Sequence, residues 1–291
     1  MTANSQVRRG QATRNHTRRK AGKAISQTVL WIITALFLVP FLYAILTALK
    51  PSGEELTVPL TVIGSSLQWD NFVKVFTEQP FGRYMLNSLI VAALGTVVVL
   101  IVSALAAFAF ARLQFWARDK IFLGYLATMM IPGELFVVPL FLLAVQFHWV
   151  NSYQGLVLPF AFGAFGTFLL RQFFLTVPRE IDDAARVDGA GTLRIFWSIM
   201  LPFARPTLSV LAVFTFLNYW NSFLWPLIIT TDVKTMATVP LGLAFFTSDQ
   251  GTQWNLVMAG SLVSMLPTAL LAIAIQRNLT KGLLTSGLGG R

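Results

Sequence analysis

No cysteine occurs in this 291-residue chain. No disulfide framework, thiolate nucleophile or cysteine-ligated metal can therefore be built from it, although this neither supports nor excludes an extracytoplasmic face. Histidine is nearly as scarce, with His16 and His148 far apart in sequence. No Ser/His/Asp or Cys/His set with plausible geometry appears, so catalysis by this chain is not expected, and no metal site either. The phosphate-cradling pattern G-x4-G-K-S/T is also missing. Above all, charge is sparse: 12% of residues are charged and 55% are hydrophobic, against about 25% charged in soluble domains.

The remaining charges are unevenly placed. None lies between Lys23 and Lys50, Arg83 and Arg112, Arg205 and Asp232, or Asp249 and Arg277. Each run holds 26 to 28 residues, enough for the ~20 apolar residues that cross a bilayer as a helix. Between Lys120 and Arg171 lie 50 residues whose only acidic, basic or histidine side chains are Glu134 and His148. Two helices fit there, joined by a turn at His148-Trp149-Val150-Asn151-Ser152. The expected fold class is thus an all-α membrane protein of six transmembrane helices.

The net charge of +10 could point to nucleic acid, but its placement argues against it. Residues 1–26 hold seven Lys/Arg and no acid, the loop 112–120 three, the segment 171–206 five, and residues 277–291 three. These 18 fall on one side of the predicted membrane; only Lys50, Lys74, Arg83 and Lys234 fall on the other. The positive-inside rule then places both termini in the cytoplasm and 51–82 and 230–254 outside. The basic excess also suits contact with anionic membrane lipid. A first run from Thr28 to Leu49 is too long for a cleaved signal segment, and reads as a retained helix.

In chain order, a basic N-terminal tail (1–26), expected to be mobile, precedes a six-helix transmembrane domain (27–276) and a C-terminal tail (277–291). Helices are expected at about 27–49, 85–111, from 121 onward, 153–172, 207–229 and 255–276. Asp70 to Phe76 forms a short amphipathic helix outside. Ser103 to Ala109 offers small residues on which another helix can pack closely. Ile131-Pro132-Gly133-Glu134 removes a backbone donor and predicts a break. No internal repeat is evident.

One polar stretch, 178–203, lies between helices four and five. Pro178 suits a helix start. Asp182, Asp183, Ala184, Ala185, Arg186 and Asp188 follow, and Gly189-Ala190-Gly191 ends the helix. A second helix carries Leu193, Phe196, Trp197 and Met200 at i, i+3, i+4, i+7 and stops at Pro202. By periodicity alone this is equally an interfacial connector. The spacing says more. Asp183-Ala184-Ala185, three residues, Gly189, nine residues, then Ile199-Met200-Leu201-Pro202 resembles the E-A-A-x3-G-x9-I-x-L-P loop of ABC importer permeases. Asp183 in place of Glu is the one departure, and it keeps the carboxylate.

The rest of the chain, over 25–291, is similar to the six-helix inner permease of the carbohydrate-uptake, maltose-type branch. Asn87-Ser88, Ala107 to Arg112, Asn218 to Leu227 and Gly282 to Gly287 carry that likeness. The resemblance implies a transport subunit whose 178–203 loop docks on a cytoplasmic ABC ATPase dimer. It also implies a homologous second permease and an extracytoplasmic substrate-binding protein. The ATP and Mg would sit on the ATPase, with no cofactor in this chain. Residues Asp182, Asp183, Ala184, Ala185, Arg186, Asp188, Gly189, Ile199, Leu201 and Pro202 become the candidate coupling set. By position, 287–291 would reach the ATPase. The cell inner (plasma) membrane is the implied location.

Five polar residues in the spans are candidates for a substrate pathway. Glu134 is the only carboxylate within a predicted span, where burial costs about 2.5–3.5 kcal/mol. It reads equally as an acceptor for sugar hydroxyls and as a cap for the broken helix. Asn218, Tyr219, Asn221 and Trp225 combine amides with aromatic faces, the mix that binds sugars, and they read equally as interhelical packing. His148 reads as structural. The rival assignment is a stand-alone secondary transporter or channel relaying ions through Glu134. Such folds often show paired inverted halves, which are not evident here.

Overall fold

The computed structural model describes residues 3–55, 61–248 and 251–286. Its contacts divide the chain into two units, 1–71 with 253–259 and 72–252 with 260–291.

In the first unit, α1 (Ala3–Ala48) continues through the basic stretch expected as a tail. Ala, Gln, Lys and Arg are good helix formers, and no proline interrupts them before Pro40. Its apolar part, Ser26–Ala48, has none of its most apolar stretch buried in this chain. Lipid or another subunit must cover it. After α1 the chain folds onto buried polar anchors. Asn71 donates through Nδ2 to the carbonyls of Ala48 and Lys50, both at 2.9 Å. Lys50 is fully buried and donates to the Thr61 carbonyl. Glu54 accepts from the Ser65 amide (2.7 Å) and hydroxyl (2.6 Å).

The short helix expected near Asp70 is α2 (Asn71–Glu78). Next comes the backbone of the second unit, α3 (Phe81–Arg112), 32 residues without proline. Then α4 (Arg118–Ala127) and α5 (Val137–Gln146) follow, joined through short 3-10 turns on either side of Pro132. The helical segments 118–130 and 133–146 meet at 96°, the break that Pro132-Gly133 predicts. His148 and Asn151 turn the chain with left-handed backbone. In the fourth span α6 (Tyr153–Val157) and α7 (Ala164–Thr176) are bent by 50°.

Beyond α7 lie α8 (Arg179–Val187), α9 (Thr192–Ile195), a π-helical turn at Phe196–Met200 and α10 (Leu201–Phe203). Then α11 (Arg205–Trp220) departs at 77° from the 192–203 helix. The single helix expected over 207–229 is in fact two. Asn221 caps α11, and α12 (Leu224–Ile229) starts after a break at 221–223. Next come α13 (Val233–Met236), α14 (Val239–Ala244) and a two-stranded antiparallel ribbon, β1 (Thr247–Ser248) with β2 (Gly251–Thr252). This ribbon is the one addition to an all-helical expectation among the described residues. Finally α15 (Trp254–Ser286) runs past the expected end at 276; residues 287–291 lie outside the described residues. Three described helices are long and apolar enough to cross a membrane, or up to six if each bent pair is one span.

The core of the second unit is α3 against α7 and α11. Hydrophobic transfer gives little drive between helices in lipid, so close packing must hold them. The small residues of α3 do this: Ala104, Ala107 and Ala111 are buried in one cluster with Leu170 and Phe174 of α7, and Ser103 is buried beside Gly166. At Gly166 an added Cβ would stand 2.4 Å from the Ser103 hydroxyl, so glycine sets the α3–α7 spacing. The rings of Phe108, Phe174 and Phe196 join the same cluster edge to face or tilted. Toward the other end, Asn87 is buried and fully used. Its Nδ2 donates to the carbonyls of Thr235 and Ala237 (2.9 Å each) and its Oδ1 accepts from Tyr153 (2.7 Å). Ser88 accepts from the Val239 amide at 2.7 Å. These two are structural pins rather than pathway groups.

Candidate functional site

The geometry of α8 accounts for the motif. Asp188 is the C-cap and Gly189 follows with φ +81°. The Gly189 amide donates to the Arg186 carbonyl (3.0 Å) and the Ala190 amide to the Ala185 carbonyl (2.9 Å). These are the paired bonds of a Schellman cap, whose left-handed position favours glycine. Ala185, three residues before the cap, is buried against the α3–α7 core, and a larger side chain there would lift the helix off. The Ala-Ala-x3-Gly spacing is thus the spacing of a capped helix pressed on a close-packed floor. Ala184 points the other way and is exposed.

The acids of α8 divide. Asp183 and Asp188 are exposed, with Arg186 beside them. Asp182 is buried: its Oδ2 lies 3.2 Å from Nε of Arg112, the last residue of α3, with side chains only 9% and 4% accessible. Arg112 also donates to the Val177 carbonyl at 2.7 Å. The approach is a charge contact rather than an aligned hydrogen bond, because Arg112 Nε and Asp182 Oδ1 have no hydrogen-bond partner. Asp182 is therefore an anchor, and the exposed Asp183, Arg186 and Asp188 are the surface. Arg112, Arg179, Asp182, Asp183 and Arg186 line a cavity of about 270 Å³ beside them. Sequence reasoning counted Arg112 among the basic residues of 112–120 and missed its pairing with Asp182; its place at the end of a charge-free helix was the available signal. A neighbouring strut is Arg171, which donates to the Phe110 carbonyl (3.2 Å), meets Asp119 (3.3 Å) and lies 4.1 Å over Phe122.

In the second helix of the 178–203 segment the apolar stripe expected from spacing is split. Phe196 and Met200 are buried, whereas Leu193 and Trp197 are 69% and 53% exposed. The π-helical turn at 196–200 widens the repeat and shifts the inward register to Ile195, Phe196 and Met200. Ile199 and Leu201 pack partly against the core, and Pro202 opens α10.

The five membrane candidates do not form one site. Glu134 sits exposed at the 96° break, and among the described residues its side chain makes no hydrogen bond or ion pair. Trp225 is buried, with Nε1 donating to the Gly155 carbonyl at 2.9 Å. The break at 221–223 takes it off the face shared by Asn218 and Asn221, and Asn221 is exposed at the α11 cap. The Tyr219 hydroxyl is likewise spent on the Val157 carbonyl at 2.9 Å. Asn218 and the Tyr219 ring line a cavity of about 400 Å³ where α11 faces the bend before α7. Among the described residues no cluster of His, Cys, Asp or Glu could hold a metal.

Comparison with known proteins agrees with these features. The sequence model of the family described as "Binding-protein-dependent transport system inner membrane component" matches residues 99–284, more than half of the chain. A relative in Yersinia pestis bv. Antiqua (strain Antiqua), the sn-glycerol-3-phosphate transport system permease protein UgpE, is 36% identical over 266 residues, covering 89% of this chain and 94% of its own length. The arabinooligosaccharides transport system permease protein AraQ of Halalkalibacterium halodurans is 34% identical over 275 residues, covering 91% of this chain and 98% of its own length. Among solved structures, a bacterial ABC transporter involved in import of the acidic polysaccharide alginate superposes with a TM-score of 0.75 at 19% identity. That match covers 89% of this chain and 96% of the other and establishes the fold. With its charge-free spans, its capped 179–187 helix and these relatives, the chain belongs to the inner-membrane permease components of binding-protein-dependent ABC transport systems.

Proposed function

We propose that this chain is one of two homologous permease subunits of an ATP-driven importer of a sugar or oligosaccharide, and lines half of its pathway. The carrying observation is α8: a capped helix with Asp183, Arg186 and Asp188 exposed, fixed to the end of α3 through buried Asp182 and Arg112. An ATPase dimer would dock on that surface and hold the ATP and Mg. The 18-to-4 bias of basic residues supports both termini and 178–203 on the cytoplasmic side. A binding protein would then meet 51–82 and 230–254 outside. One solved neighbour, the alginate transporter, is described in complex with an alginate-bound periplasmic protein.

In this reading, ATP-driven closure of the ATPase pair moves α8, and the Arg112–Asp182 contact passes the motion to α3. The pathway then opens alternately to each side, biased by the higher affinity of ATP for the closed state. Reconstitution with the partner permease, ATPase and binding protein tests it. Uptake should require ATP, and Asp183→Arg should abolish solute-stimulated hydrolysis while the ATPase still co-purifies. Uptake by this chain alone without nucleotide would refute the proposal and favour a secondary transporter.

A further inference from the structure

We propose that the cavity between the α7 bend and α11 is a subsite for an uncharged sugar ring; this rests on the importer reading and narrows its cargo. Three observations carry it. First, the cavity is built rather than incidental. The 50° break between the two halves of the fourth span opens it, and an added Cβ on Gly163, at that break, would meet nothing within 4 Å. Its volume of about 400 Å³ lies in the roughly 300–1,000 Å³ range of small-molecule sites. Second, its walls match a sugar. Phe160, Phe165 and Phe214 offer ring faces and edges for the C–H side of a pyranose or furanose. Thr215 and Asn218, one helical turn apart, line the same space, and their side chains make no hydrogen bond among the described residues. The Asn218 amide both donates and accepts, as sugar hydroxyls require. Third, the walls come from runs that hold neither lysine nor arginine. A phosphate or carboxylate would enter with nothing in this wall to compensate it, which is strongly unfavourable at low dielectric.

The absence of cysteine makes the test direct. Gly163→Cys places the only thiol of this chain on open space in the cavity wall without removing a side chain. In proteoliposomes of the full complex, with cysteines of the other subunits replaced, thiol labelling is timed with neutral di- and trisaccharides of arabinose, glucose or galactose, and separately with sn-glycerol 3-phosphate. At least one neutral sugar should slow labelling about fivefold, the 1 + [L]/Kd factor at about four times its Kd, and glycerol phosphate should not. Gly163→Trp, which fills the space, should cut uptake of that sugar about tenfold while the ATPase still co-purifies. Equal protection by glycerol phosphate, protection by no neutral sugar, or undiminished uptake in Gly163→Trp would overturn the subsite. ATP dependence of uptake in the same vesicles separates the two readings: ATP-driven uptake without protection removes the subsite alone, and ATP-independent uptake removes the importer as well.

Discussion

Replacing Asp182 by Asn should release α8 from α3. The substitution keeps shape but leaves the Arg112 guanidinium charged, 4% accessible and without its counter-charge. Removing one partner of a buried pair costs about 3–5 kcal/mol. The lower end applies here, because the 3.2 Å contact is poorly aligned and Arg112 keeps its bond to the Val177 carbonyl. At about 1.4 kcal/mol per tenfold, 3 kcal/mol is roughly two orders of magnitude in the population of undocked α8. Amide hydrogen exchange of residues 179–190 in the detergent-solubilised complex reads this directly, since local opening sets the rate. Exchange there should quicken by about 100-fold, with α7 and α11 little changed, and solute-stimulated ATP hydrolysis should fall. The double variant Arg112→Met, Asp182→Leu should recover most of the protection, because an apolar pair leaves no stranded charge. Unchanged exchange in Asp182→Asn, or a double variant as loose as the single, would refute the anchoring role.

Gly189→Ala forces a Cβ into φ +81°, where the added atom meets no neighbour. The penalty is therefore purely conformational, about 1 kcal/mol or more; Gly189→Asn should be milder, and the ratio of transport to ATP hydrolysed ranks the two. Trp225→Phe strands the buried Gly155 carbonyl and should cost about 1–3 kcal/mol. A lower Tm with an unaltered concentration dependence of uptake would identify a packing residue; a changed KM would return Trp225 to the pathway. Hydrogen bonds from the Ser65 hydroxyl and amide hold the Glu54 carboxyl below its ordinary 4.5. A depressed folded value means its contribution is present above 4.5 and is lost as pH falls through the lower value. Limited proteolysis around Glu54 and Ser65 should accelerate only in acid, and Ser65→Ala should shift that onset upward.

Charge-free runs made the spans legible, and Pro132-Gly133 made the sharpest break legible, because both follow from backbone groups that lipid cannot satisfy. The Ala-Ala-x3-Gly spacing was legible as a motif, and the structure supplies its cause in the Schellman bonds of Gly189 and Ala190. What the sequence concealed is tertiary. Asp182 and Asp183 are adjacent carboxylates, yet a 100° step around α8 sends one to Arg112 and the other to solvent. The apolar stripe of 193–200 assumed a 3.6-residue repeat that a π-turn does not keep. Asn221 and Trp225 read as parts of one helix over 207–229 because nothing short of the backbone itself marks the break at 221–223. Tyr219 and Trp225 seemed available to a sugar because a sequence cannot reveal which carbonyls, here Val157 and Gly155, already hold their donors.

With no proline from Phe81 to Arg112, α3 acts as a connecting rod about 48 Å long at 1.5 Å per residue. One end is bolted to Thr235 and Ala237 through Asn87, the other to α8 through Arg112. A stiff rod fastened at both ends cannot tilt at one without displacing the other. In the proposed complex, a binding protein docked near residue 235 and an ATPase docked on α8 would therefore feel each other through the tilt of one helix.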